Sequence, residues 1–182
     1  MKAGTVRVAL LRGINVSGKN KLPMAELAAI FKDAGCGDVE TYIQSGNVVF
    51  RAKDPLTQRL PMLISQAIAD RFGYRVPVLL RTAEQLRKVV RSNPFMRARA
   101  DDKALHVVFL DRKPTANQVA ALDPRRSPPD AFSVRGQEIY LNCPNGLGRS
   151  KLTNLYFDTK LDATSTVRNW KTVLQLAAMI DP

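Results

Sequence analysis

The chain has 182 residues, 45% apolar and 24% charged, which suits one domain or two small lobes with a real core and excludes general disorder. Its 28 Lys and Arg against 16 Asp and Glu give a formal +12 and a sequence pI near 10.2. That excess favours polyanionic partners such as nucleic acid, phosphorylated ligands or acidic membrane surfaces, or else reflects an Arg-rich compositional bias spread along the chain.

Cysteine and hydropathy narrow the classes further. Cys36 and Cys143 stand alone and far apart, so no disulfide framework and no zinc cluster is expected. The apolar run at the N-terminus stops at Arg12, too short for a signal peptide, and no window approaches the roughly 18 apolar residues of a membrane span. The chain reads as a soluble cytoplasmic protein with no membrane partner.

The first element is a strand over Val6–Leu11, continuously apolar apart from Arg7 and therefore central in a sheet. The loop that leaves it, Arg12 to Lys21, gathers Gly13, Gly18, Asn15, Asn20 and several cations. Pro23 opens a helix with Met24, Leu27, Ala28 and Phe31 on one face, and Gly35 and Gly37 stop it. Strands at 39–43 and 48–51 flank Gln44-Ser45-Gly46-Asn47, whose turn chemistry predicts a hairpin. Asp54-Pro55 is expected to cap a helix that runs to about Phe72, and Val76–Leu80 forms a fourth strand.

Strand-helix-strand-strand-helix-strand over residues 5–81 is the split βαβ of a ferredoxin-like lobe. The expected fold is α+β: an N-terminal ferredoxin-like lobe, residues 1–82, packed on a smaller α+β lobe, residues 83–182. If Val6, Val8 and Leu10 face the helices, then Arg7, Ala9 and Leu11 face away, with Tyr42, Val49, Arg51, Leu79 and Arg81 beside them. A mixed apolar and basic face of that kind could hold RNA, or could be covered by the second lobe.

The second half opens with a capping box, Thr82-x-x-Gln85, on a helix to about Arg91. A charged connector, Arg97 to Lys103, leads to a strand at Leu105–Leu110 that holds the only histidine, His106, expected to be packed rather than catalytic. Thr115-x-x-Gln118 caps a short helix. Pro124–Pro129 is an exposed loop carrying Arg125 and Arg126, and a hairpin follows around Arg135-Gly136-Gln137. Two helices are expected to close the chain, Lys151 to about Leu161 and Val167 to Met179. No internal repeat is legible.

Two loops carry chemistry. Gly13-Ile14-Asn15-Val16-Ser17-Gly18-Lys19 fits G-x-x-x-x-G-K, the spacing of a nucleotide-binding P-loop. Against it, Asn20 replaces the Ser or Thr that would hold magnesium, the helix starts late, and the hairpin implies an antiparallel sheet. The second loop, Pro144 to Lys151, follows a strand and runs into a helix expected to be capped by Ser150, so amides, helix dipole and cations could gather on an anion; equally, it could be a turn that starts a helix. No carboxylate pair, Ser-His-Asp set or metal cluster points to a catalytic residue.

Four phrases stand out together: Leu11-Arg12-Gly13-Ile14-Asn15-Val16 with Gly18-Lys19-Asn20; Thr41 to Val48; Gly148-Arg149-Ser150-Lys151-Leu152; and Arg168-Asn169-Trp170-Lys171-Thr172-Val173. In combination they resemble the bacterial family called domain of unknown function 1697, along nearly the whole chain. Ser17 and Lys171 are small departures from its pattern. The resemblance implies a compact cytoplasmic α+β protein and brings no activity, substrate, cofactor or catalytic residue.

The expected function is binding of a phosphate-bearing ligand, nucleic acid or nucleotide, through glycine-rich basic loops. The ligand residues are Arg12, Gly13, Asn15, Gly18, Lys19, Asn47, Gly148, Arg149, Ser150, Lys151, Arg168 and Asn169, gathered in one concavity with Gly146. The alternatives are an enzyme that uses Lys19 and Arg149 to stabilise charge on a small phosphorylated substrate, or a protein-interaction module. In a further alternative, Arg168 and Asn169 only cap helices and bridge the two halves.

Overall fold

The structure is a computed structural model of the 182-residue chain, and it describes residues 4–16, 18–96 and 101–180. Arg97 to Ala100 of the expected charged connector lie outside the described residues. The fold is α+β, with two four-stranded antiparallel sheets and six α-helices among the described residues. Two compact units divide it: Met1–Leu86 with Leu176–Pro182, and Arg87–Gln175.

The first unit runs β1 (Thr5–Leu11), α1 (Met24–Asp33), β2 (Gly37–Tyr42), β3 (Asn47–Ala52), α2 (Asp54–Phe72) and β4 (Val78–Thr82). Its sheet has the order β2-β3-β1-β4 with every neighbour antiparallel, as the split βαβ pattern requires. One core joins Leu27, Ile30 and Phe31 of α1 and Leu60, Ile64 and Ile68 of α2 to Ala9, Leu11, Val48 and Phe50 of the sheet. Phe31 and Phe50 lock it, with ring centroids 5.2 Å apart. Pro23, not a hydroxyl residue, precedes α1, and Lys53, not Asp54, precedes α2.

The phase of β1 is the reverse of the one expected. Ala9 and Leu11 point to the helices, while Val8 and Leu10 share the opposite face with their cross-strand partners Val49, Leu79 and Arg81. Arg7, in phase with Ala9, pairs with Asp54 in the first turn of α2, which neutralises a cation on the helix side. Val8, Leu10, Val49, Leu79 and Arg81 are all buried, so this face offers no open platform for stacking bases. The end of α6 (Trp170–Ile180) belongs to this unit: Met179 and Ile180 share a cavity of about 180 Å³ with Val6, Glu40, Val49 and Arg51.

The second unit repeats the plan: β5 (Leu105–Leu110), α4 (Ala116–Ala120), β6 (Ala131–Arg135), β7 (Glu138–Asn142), α5 (Asn154–Leu161) and β8 (Ser165–Asn169). The sheet order β6-β7-β5-β8 matches the first, position for position, again all antiparallel. Val108, Leu110, Ile139 and Leu141 meet Phe157 and Leu161 of α5 in its core, as Ala9, Leu11, Val48 and Phe50 meet α1 and α2. The internal repeat is therefore structural, carried by pattern and register and not by residue identity. A helix follows the last strand of each sheet: α3 (Ala83–Arg91) after β4, and α6 after β8.

Candidate functional site

The twelve residues singled out in the sequence fall into two sets, one in each unit, and each set has its own geometry.

In the first unit the loop from Arg12 to Lys21 is braced from inside. The Asn15 side chain donates to the carbonyls of Leu22 and Gln44, both at 2.8 Å, and accepts from the Leu22 amide at 2.8 Å. Asn20 Nδ2 donates to Gly13 O at 2.9 Å, and the Asn15 amide donates to Asn20 O at 3.1 Å. Gly13, Asn15, Gly18 and Asn20 all hold positive φ, which asparagine and glycine tolerate best. A Cβ added at Gly13 or Gly18 would meet nothing within 4 Å, so these glycines border open space and serve backbone conformation, not packing.

Around this frame Lys19 and Lys21 are exposed, and among the described residues neither takes part in an ion pair. Arg12 is half-buried, its amide donating to Pro77 O at 3.0 Å. Asn47 is fully buried, its amide donating to Tyr42 O at 3.1 Å and Ser45 Oγ at 2.9 Å, where it closes the β2–β3 turn. Both asparagines are thus braces for the loops that carry the cations. The frame is also not that of a nucleotide hydrolase: the sheet is antiparallel and α1 begins at Met24, well past Lys19.

In the second unit Gly148 and Arg149 are exposed in a short 3-10 turn at Leu147–Arg149. The helix starts later than expected: Thr153 is its cap, accepting from the Tyr156 amide at 3.2 Å, and Ser150 accepts instead from the Leu152 amide at 3.1 Å. Ser150 lies three residues before this cap, too far back to reach the first free amides of the helix. Lys151 is exposed, and its amide donates to Ser127 Oγ at 3.0 Å, which ties this loop to the Arg125–Arg126 loop.

Arg168 lies not within a helix but next to last in β8, opposite Val107, one residue before the cap of α6. It is only 7% exposed, and burial pushes its guanidinium down to about 10. Nη1 donates to Thr166 Oγ1 and Val167 O, each at 2.8 Å. Asn169 accepts from the Thr172 amide at 2.8 Å, the bond of a helix cap. Trp170 is buried, as a core residue.

Sequence reading passed over a cavity of about 340 Å³ beside Cys143, lined also by Asp101, Lys103, Ala104, Asn142 and Gly146. Burial pushes the Cys143 thiol up to about 11, so it is a neutral wall and no nucleophile. The signal that could have found this place is the length of the segment 143–153, meaningful only once the repeat is seen. Among the described residues no group of three or more His, Cys, Asp or Glu is placed to hold a metal, and no helix is long and apolar enough to cross a membrane. His106 is buried, with Nδ1 3.2 Å from Ala104 O.

Fold and loops together define an α+β protein of two like-patterned units whose exposed glycine loops carry cations. Residues 5–140 match the family described as protein of unknown function, DUF1697, and the chain belongs to that family. A solved structure described as a conserved bacterial protein from Streptococcus pneumoniae is similar in fold, with a TM-score of 0.73 at 24% identity over 97% of this chain and 98% of that one. None of the curated proteins matches the chain.

Proposed function

We propose that the protein binds a phosphate-bearing ligand, nucleic acid or nucleotide, in the cytoplasm through the Arg12–Lys21 loop. The observation that carries this reading is the pair of exposed lysines, Lys19 and Lys21, on a loop that Asn15 holds in place beside the open backbone of Gly13 and Gly18. A preorganised loop loses little freedom on binding, so its cations act at small entropic cost. The glycines let a phosphate approach the backbone amides, and the formal +12 of the chain draws polyanions toward it. Arg149 and Lys151 are likewise exposed on the glycine loop of the second unit.

Fluorescence anisotropy with a single-stranded oligonucleotide, titrated over ionic strength, tests the reading. Binding is expected at low salt and weakens as salt rises, because each phosphate contact releases counterions, with a slope of about −0.7 per contact for single strands. Replacing Lys19 and Lys21 by Ala lowers that slope by the equivalent of about two contacts. No binding at low salt, or an unchanged slope in the double variant, overturns it.

A further inference from the structure

The two units spend very different lengths of chain on the same connection. From the third strand to the second helix, the first unit uses Lys53 alone, between Ala52 and Asp54. The second uses the whole of 143–153, between Asn142 and Asn154. Aligned by face and cross-strand partner, Ala9–Val48 on Val108–Ile139, the two sheets make Thr5 the counterpart of Ala104, Ala52 that of Cys143 and Gly4 that of Lys103. In the first unit this end of the sheet is shut: a Cβ on Gly4 would stand 2.1 Å from the Ala52 carbonyl carbon. In the second, the Cys143 amide donates to Ala104 O at 2.8 Å, and beside this pair the 340 Å³ cavity opens. A long loop on a rigid sheet end, absent from the sister unit, is where a repeat protein differentiates function.

The chemistry of the lining selects the occupant. Lys103 brings an ammonium that pairs with no carboxylate among the described residues. Asp101, exposed on the rim like Lys103, brings a carboxylate of which Oδ1 accepts the Lys103 amide at 2.9 Å. Asn142 adds a half-buried amide, and Ala104 and Cys143 give a buried apolar floor. One cation, one anion and one amide balance: a phosphate would meet repulsion from Asp101, and a simple cation would meet it from Lys103. The volume lies within the range of small-ligand pockets.

We propose that this cavity binds a small zwitterion with an ammonium and a carboxylate group, as an α-amino acid has, the carboxylate on Lys103 and the ammonium on Asp101. Asn142 serves whichever group lies nearer, and a short side chain rests on Ala104 and Cys143. The site is independent of the phosphate-binding loop of the first unit.

Calorimetric titration and thermal shift of the full chain with the twenty L-amino acids test it, with acetate, methylammonium and inorganic phosphate as controls. At least one amino acid is expected to bind saturably and raise Tm, with none of the three controls doing so at the same concentration. Lys103→Gln and Asp101→Asn each weaken that binding about tenfold or more, as loss of a charged hydrogen bond does. Asn keeps the acceptor that caps the Asp102–Ala104 turn, so Asp101→Asn removes charge and not the cap. Both variants retain oligonucleotide binding, which separates this site from the loop of the first unit. No response to any amino acid, binding indifferent to both substitutions, or stabilisation by phosphate that depends on Lys103 overturns the proposal.

Discussion

Arg81 and Arg168 hold the same place in the two units: Arg81 lies opposite Val8 in the edge strand β4, Arg168 opposite Val107 in the edge strand β8. Each is buried, and each Nη1 donates to the carbonyl of the residue before it, at 2.9 and 2.8 Å. Each also stands one residue before a helix cap, Thr82 for α3 and Asn169 for α6. A guanidinium placed twice at the same register is part of how the fold is built.

Arg168→Ala is therefore expected to destabilise, because it leaves Thr166 and Val167 without a buried donor, at a cost of about 2–4 kcal/mol. Urea unfolding reads this as a lower midpoint with little change in slope. Arg168→Lys also loses stability, since an ammonium cannot reproduce the planar fork. An unchanged midpoint in Arg168→Ala would remove the structural role and return the residue to the list of ligand groups.

Much of this architecture is legible in the chain, and the misses have physical causes. The capping boxes Thr82–Gln85 and Thr115–Gln118 both form, since each needs only local geometry. β1 is apolar at nearly every position, so alternation carries no phase, and only the partners Val49 and Arg81 reveal which face Val8 joins. β8 is short and polar at Ser165 and Thr166, and the helical spacing that begins at Trp170 reads back into Val167. That Asn15 also braces its loop is not legible in the sequence, because Gln44, one of its partners, lies 29 residues on. The repeat is hidden in the sequence because equivalent pairs such as Ala9–Val48 and Val108–Ile139 share register and burial without sharing residues.

Gly13 and Gly46 separate two uses of glycine. Both have positive φ, but a Cβ at Gly46 would stand 2.7 Å from Leu11 Cβ and 2.8 Å from Ile14 Cδ1, whereas one at Gly13 meets open space. Gly13→Ala is expected to cost only the conformational term, about 1 kcal/mol. Gly46→Ala adds overpacking against two buried side chains, for a total nearer 2–4 kcal/mol. Equal losses in chemical denaturation would mean that the Leu11–Ile14 contact yields freely.

His106 gives a pH dependence with a defined sign. Burial lowers its pKa from 6.5, opposed in part by the Ala104 carbonyl. The unfolded chain then binds a proton at a pH where the folded chain does not. The contribution to stability is full above about pH 6.5 and is lost as pH falls through that value toward the folded pKa. As the only histidine, its ring protons titrate alone in a proton NMR spectrum and should show a midpoint below 6.5. His106→Gln flattens the stability profile in that window. A midpoint above 6.5 would contradict the burial argument.

Ile43 carries the last prediction. It sits at φ 47 in the β2–β3 turn, a left-handed conformation that a β-branched residue enters at a cost of roughly 1–2 kcal/mol. The surroundings enforce it: Asn15 holds the Gln44 carbonyl, and the Leu11 amide donates to Gly46 O at 2.8 Å, so the turn is fixed at both ends. The side chain itself is 48% exposed and gains little from packing. Asparagine tolerates this φ, so Ile43→Asn should stabilise the protein by about 1 kcal/mol, seen as a higher urea midpoint. Ile43 and Val16 are exposed apolar side chains on the two loops that Asn15 joins, and Val16 is bridged to Lys19, so the stabilised variant is expected to bind the oligonucleotide more weakly. Strain kept in place for binding would show both effects together. Stabilisation with unchanged binding would mark Ile43 as an unrelieved cost of the turn, and loss of stability would show that its contacts outweigh the strain.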